Sequence, residues 1–294
     1  MSWQMSAVGL VLRATRKRAF ATAERGRRRI AQPKVEAPPP RKLTARHEVT
    51  QRTVGGFPVW TVRPRTGSGR AAVYLHGGAY IAGITPQHWA LIGRLADAGV
   101  RVEVPLYGLA PQHSYREAYA FAHEVYAQLA AENPEEGIAL VGDSAGGGLA
   151  LGLAQELIGD PHLSRVVLIS PWLDLTLSHP DLATIEDPWL ATPGLHEAAA
   201  AWADGDDPTA PRLSPGNGPL EGLPPTTVLV GTRELCLPDS TDFVAAARKA
   251  GAEVEIEVVE GALHVYPLLP APEGAEGTRR VVAAVTAGAP TRPR

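Results

Sequence analysis

Cysteine is almost absent from this chain. Cys236 stands alone among 294 residues and cannot close an internal disulfide, so nothing calls for an oxidising compartment. The Cys/His spacings of metal sites are missing, as are the glycine-rich loops that cradle phosphates or dinucleotides, and neither a metal nor an organic cofactor is expected. No apolar run is long enough to span a bilayer. The N-terminal apolar stretch precedes its basic residues, the reverse of a secretory signal, so a cytoplasmic location is expected, with or without membrane association. What the chain does have is 45% apolar content, enough for one enzyme-sized domain with a substantial core and a small cap.

Charge is unevenly spread. Residues 1–46 hold twelve Lys/Arg against two Glu, a net of +10, so the rest carries about −13 in a chain whose total is −3. Met1 to Ala31 reads as one helix, with Trp3, Met5, Val8, Val11 and Leu12 ahead of a run of arginines, and Ala37-Pro38-Pro39-Pro40 follows as a stiff spacer. Such a basic amphipathic helix fits weak peripheral contact with an anionic membrane. Nucleic-acid binding has only charge in its favour and is not expected.

The most informative stretch is Gly142-Asp143-Ser144-Ala145-Gly146, directly after the apolar run Ile138 to Val141. A buried strand, G-x-S-x-G and then small residues make the strand-turn-helix that presents a nucleophilic serine at the tip of a strained turn. The glycines two before and two after let strand and helix pass closely. Upstream, Ala71 to Leu75 runs into His76-Gly77-Gly78-Ala79-Tyr80, a loop suited to an oxyanion hole. Backbone N–H groups of Gly77, Gly78 and Ala145 are the expected donors.

Together these motifs resemble the α/β-hydrolase esterases related to hormone-sensitive lipase. Three further stretches carry the resemblance: Leu106 to Pro111, Ser170-Pro171-Trp172-Leu173-Asp174-Leu175, and Leu213-Ser214-Pro215 followed by Leu223-Pro224-Pro225. It covers roughly residues 55 to 285. The chain departs from the family pattern at Ala79, where a third glycine is usual, at Gly108, where arginine is usual, and in the acid segment Gly231 to Asp239. The resemblance implies an α/β-hydrolase fold and a serine carboxylesterase acting through an acyl-enzyme on short- to medium-chain esters. It also implies that the N-terminal helical segment, residues 1–46, belongs to the cap of a catalytic domain spanning 47–294.

Chain order in this fold is serine, then acid, then histidine. Glu234 lies just past the apolar strand Thr226 to Gly231 and is preferred as the acid over Asp239, which opens the next helix. His264 follows the alternating strand Glu253 to Val259 and the loop Gly261 to Leu263, and is the expected base. The other histidines lack that position and read as satisfied core or surface residues. Cys236 reads as a small buried apolar group.

Strands are expected at 59–63, 71–76, 100–105, 138–143, 166–170, 226–231 and 253–259, alternating with helices at 88–98, 114–131, 145–158 and 239–250. That alternation implies a mostly parallel sheet covered on both faces. Glu253, Glu255 and Glu257 suit an exposed edge, and both a monomer and a homodimer through that edge are compatible with it. An insertion at about 175–213, with a helix from Pro193 to Asp204, should complete the cap. Tyr80, Trp189, Leu190 and Trp202 are the candidate substrate-binding residues, and Tyr107 the brace of the oxyanion loop. The same machinery could serve an amidase or deacetylase. A non-catalytic small-molecule receptor is the alternative of a different class, disfavoured by the presence of all three triad residues.

Overall fold

The computed structural model describes residues 1–67, 69–132, 134 and 136–287. The end of the 47–294 span, residues 288–294, lies outside the described residues. Eight strands form one sheet in the order β1-β2-β4-β3-β5-β6-β7-β8. They are β1 (Glu48–Val54), β2 (Phe57–Arg63), β3 (Ala71–Leu75), β4 (Arg101–Pro105), β5 (Ile138–Asp143), β6 (Leu163–Ile169), β7 (Thr226–Arg233) and β8 (Val254–Leu263). From β4 to β8 every pairing is parallel; β1 and β2 run antiparallel. The central strands are buried along their whole length, as a sheet covered on both faces requires. At the far edge β8 exposes Glu255, and Glu253 just before it is exposed too.

Ten helices accompany the sheet among the described residues: α1 (Trp3–Thr15), α2 (Lys17–Phe20), α3 (Ala23–Ile30), α4 (Arg41–Arg46), α5 (Pro86–Asp97), α6 (Tyr115–Ala131), α7 (Ala145–Glu156), α8 (Thr192–Ala203), α9 (Leu237–Lys249) and α10 (Pro272–Thr286). Three elements are absent from the expectation: the short helix α4, and β1 and α10. β1 is mostly exposed, so its apolar signature is weak, and it is held by the hairpin Val54-Gly55-Gly56-Phe57, whose glycines sit at φ +55° and +88°. Two central residues with positive φ give the turn whose twist matches antiparallel strands. In α10 the apolar stripe is diluted by Gly274 and Gly277, which lie where a side chain would collide with Leu269 and Tyr266.

The single helix expected over Met1 to Ala31 is three. Thr22 is extended and its side chain accepts the Arg25 N–H, which starts α3 afresh. The chain thereby folds back so that α2 and α3 pack on α8. A Cβ on Gly26 would lie 2.7 Å from the Gly194 Cα, and one on Gly194 would lie 2.5 Å from the Phe20 Cα. Phe20 and Ile30 join Leu195, Ala198 and Trp202 in the same hydrophobic cluster. Among the described residues no helix is long and apolar enough to cross a membrane.

Tyr80 and Trp202 stack at 4.2 Å with rings 3° from parallel, joining α8 to the segment after β3. Trp202 is buried, so Trp202→Ala should cost about 3–5 kcal/mol. Urea unfolding with a fluorescence readout checks the value.

Candidate active site

Ser144 sits between β5 and α7 at φ +52°, ψ −122°, a strained conformation for a non-glycine residue. The glycines around it answer to close approach. A Cβ on Gly146 would lie 2.0 Å from the Leu75 carbonyl oxygen, and one on Gly142 would lie 2.2 Å from that of Gly146. Neither contact can be relieved by moving a side chain, because the obstacle is backbone.

β7 and β8 both run further than expected, to Arg233 and Leu263, so Glu234 and His264 are the first residues past their strand ends. Gly261, at φ +73°, falls inside β8 and not in a loop. His264 Nε2 lies 2.9 Å from Ser144 Oγ, and His264 Nδ1 lies 2.8 Å from Glu234 Oε2. The other oxygen of Glu234 accepts from Ser170 Oγ at 2.8 Å and from the Gly231 N–H at 2.6 Å. With the carboxylate filled in this way, the proton of His264 sits on Nδ1 and Nε2 faces the serine free to accept. Burial works to lower the His264 pKa, but the hydrogen bond and charge of Glu234, with the charges of Asp187 and Asp143, raise it above the usual histidine value. Asp239 lies in the first turn of α9, where burial and Asp174 push its carboxyl up to about 6.

One expected oxyanion donor is corrected. The Gly77 N–H already donates to Asp143 Oδ1 at 3.0 Å, so it is spent on holding the loop. Among the described residues the N–H groups of Gly78, Ala79 and Ala145 carry no hydrogen bond. Ala79 and Tyr80 hold φ of +54° and +60°, and Gly78 holds +135°, where a Cβ would meet the Ala82 carbonyl oxygen at 2.3 Å. Tyr107 braces this loop, donating to the His76 carbonyl at 2.5 Å and stacking on its ring. Burial drives the His76 pKa down to about 4, which keeps that ring neutral.

Asp143 itself is a positioning residue that motif spacing does not reveal. Its buried carboxylate accepts from Tyr74 Oη at 2.6 Å, the Gly77 N–H, and His88 Nε2 at 3.2 Å. The Thr85 N–H donates to His88 Nδ1 at 2.8 Å, which leaves the ring proton on Nε2, facing Asp143. Burial opposes the charge on Asp143, but His88, Tyr74 and Gly77 outweigh it and hold the carboxyl below its ordinary range. His88 is therefore more than a bland core histidine. The only local signal is its place three residues after Thr85, which makes a capping box.

Asp187, also buried, accepts the N–H groups of Trp189, Leu190 and Leu235, tying the 175–213 insertion to the segment after β7. Trp189 meets the His264 ring edge-on at 5.8 Å.

Above Ser144 lies a largely apolar cavity of about 600 Å³. Trp189 and Leu190 line it, as do Val8, Val11 and Leu12 of α1. Tyr80 and Trp202 do not: both are buried behind the wall, facing each other, because their stacking joins the cap to the core. Cys236 lines the cavity too, and burial with the nearby carboxylates of Glu234, Asp239 and Asp187 pushes its thiol up. Donor atoms of Glu234, Cys236 and His264 fall within 4.8 Å of one another, a spacing that a metal ion could bridge. Glu234 and His264 are already engaged with each other, and His264 with Ser144, and the thiol is kept protonated, so the grouping follows from the hydrogen-bonded chain of Ser144, His264 and Glu234 with Cys236 packed beside it.

A serine at the tip of a strand-turn-helix, with a histidine and an acid past successive parallel strands, defines a class. The chain belongs to the α/β-hydrolase fold family, whose model matches residues 72–268. Within it, the chain is an esterase of the bacterial hormone-sensitive lipase type. It is 36% identical over 239 residues to an acetyl-hydrolase of Streptomyces hygroscopicus, covering 78% of each chain. It is also 36% identical over 196 residues to an esterase of Acinetobacter venetianus, covering 64% of each. A solved esterase of the bacterial hormone-sensitive lipase family superposes with a TM-score of 0.81 at 27% identity, covering 99% of both chains. The esterase EstE5, soaked with ethyl alcohol, gives 0.84 at 28%, covering 97% of this chain and 98% of that one.

Replacing the carboxylate of Asp143 strands three buried donors. At about 1–3 kcal/mol for each unsatisfied group, Asp143→Ala should lose at least about 3 kcal/mol of stability. Denaturant unfolding at neutral pH measures it.

Proposed function

We propose that the chain hydrolyses short- to medium-chain carboxylic esters through an acyl-enzyme formed on Ser144. The observation that carries this is the 2.9 Å approach of His264 Nε2 to Ser144 Oγ, with the Nδ1 proton engaged by Glu234. His264 takes the serine proton as Oγ attacks the ester carbonyl, then returns it to the departing alkoxide oxygen. Water then attacks the acyl-enzyme in the same way, giving up its proton to His264, which returns it to Ser144 as the acid leaves. Glu234 holds the tautomer and offsets the positive charge that His264 gains in each half. The N–H groups of Gly78, Ala79 and Ala145 are the donors to the negative oxygen of each tetrahedral intermediate.

The cap of this enzyme consists of residues 1–46 and the insertion at about 175–213, as their shared contact at Gly26 and Gly194 supports. The cavity volume of about 600 Å³ suits a small apolar ester. A 33% identical relative from Pseudomonas putida, an ethyl acetate hydrolase, supports the short end of that range.

p-Nitrophenyl acetate, butyrate, octanoate and palmitate, with matching anilides, test the reading. Wild type should turn over the shorter esters in preference to anilides, and Ser144→Ala should lose at least about 10⁴-fold in kcat. A folded wild type that cleaves no ester sinks it. The pH profile supplies a second check. The base works only when neutral, so activity falls as pH drops through the His264 pKa, and the acid limb of kcat/KM should lie above 6.5. In Glu234→Gln the raising charge is gone, so that limb should move to lower pH while the plateau rate falls.

A further inference from the structure

Six large apolar side chains are strongly exposed among the described residues, and five of them lie in residues 1–46: Met1, Trp3, Leu10, Val11 and Val35. Three are on α1, with Trp3 77%, Leu10 70% and Val11 61% exposed. At 100° per residue, Trp3, Leu10 and the exposed Ala7 and Ala14 fall on one face, with Val11 at its border. Met5, Gly9 and Leu12 form the opposite face, where Met5 is fully buried and Gly9 sits against Leu263 and Pro188. A helix with two apolar faces has one more than folding this chain uses.

The outer face adjoins the cavity. Val11 both belongs to the exposed stripe and lines the cavity above Ser144, as does Ala7. Charge around the stripe is predominantly positive. Of the cations in residues 1–31, only Arg13, Arg27 and Arg28 have carboxylate partners; Arg16, Lys17, Arg18, Arg25 and Arg29 have none among the described residues. Arg16 and Arg29 also line the cavity, at its α1–α3 side. An exposed apolar stripe flanked by unpaired cations, on a chain whose remainder is strongly negative, is complementary to an anionic lipid surface.

We propose that the outer face of α1 docks on an anionic lipid surface, with Trp3 and Leu10 entering the acyl boundary and Lys17, Arg18 and Arg25 meeting the headgroups. Docking sets the cavity opening beside Val11 against the lipid, so apolar esters reach Ser144 without crossing water. This delivery role rests on the esterase reading, but the docking itself is measured without activity.

The test uses the full chain with vesicles of phosphatidylcholine alone and of phosphatidylcholine mixed with phosphatidylglycerol, read by co-sedimentation. Wild type and Ser144→Ala should both pellet with the mixed vesicles and be released by high salt. Trp3→Ser/Leu10→Ser and Lys17→Gln/Arg18→Gln should each weaken that binding by at least about tenfold while leaving hydrolysis of dissolved p-nitrophenyl butyrate unchanged. Wild type that stays in solution with both vesicle types, or double variants that pellet like wild type, would overturn the proposal. So would a dimer in sedimentation velocity that Trp3→Ser/Leu10→Ser dissolves, because the stripe would then be a contact between copies.

Discussion

Three donors from three different elements converge on the carboxylate of Asp143: the hydroxyl of Tyr74 on β3, the N–H of Gly77 in the oxyanion loop, and Nε2 of His88 on α5. A buried carboxylate is tolerable only when its oxygens are filled, and here all three hydrogen bonds act on a residue that precedes Ser144 directly. The position of the nucleophile and that of the loop facing it are therefore set by one group. The same constraint appears as backbone proximity. Gly146 passes so near the Leu75 carbonyl that no side chain fits, and a Cβ on Gly77 would lie 2.3 Å from the Asp143 carboxylate. Loop, strand and helix are locked at van der Waals distance before any substrate arrives.

The acid side of the relay is held in a comparable way. Ser170, itself at φ +46°, donates to Glu234 and accepts from the Val265 N–H, so it joins the segment after β6 to those after β7 and β8. Asp187 then extends the network into the insertion, placing Trp189 against the His264 ring. Cap and catalytic relay thus share a hydrogen-bonded floor. The roof comes from the other end of the chain, where Gly26 and Gly194 let α3 and α8 approach closely and α1 closes the cavity with Val8 and Leu12.

Much of the architecture was legible because its signals are local. Apolar runs marked the central strands, and the edge position of β8 showed in its alternating glutamates. Motif order pointed to Ser144, Glu234 and His264, and the structure brings these three side chains into hydrogen-bonded contact. β1 escaped because an exposed edge strand has little apolar pattern, and α10 because its glycines serve packing against Tyr266. Gly77 was read as an oxyanion donor because a His-Gly-Gly motif says nothing of which N–H is already taken. Tyr80 and Trp202 were read as pocket walls because aromatic content near a site cannot distinguish a ring that faces a cavity from one stacked behind it.

By itself the sequence determined the elements whose cause is short-range: strands from apolar runs, the strained serine turn from its flanking glycines, the order of serine, acid and histidine. Tertiary structure decided the rest, because it depends on groups distant along the chain meeting in a dry interior. Only folding puts His88 on Asp143, takes the Gly77 N–H out of use, and turns Trp202 toward Tyr80 and away from the cavity. It also decided that the N-terminal segment bends into three helices with one apolar face inward and one left outward. A helical periodicity can report that a segment is apolar on two sides, but which side finds a partner is settled by the surface it folds against.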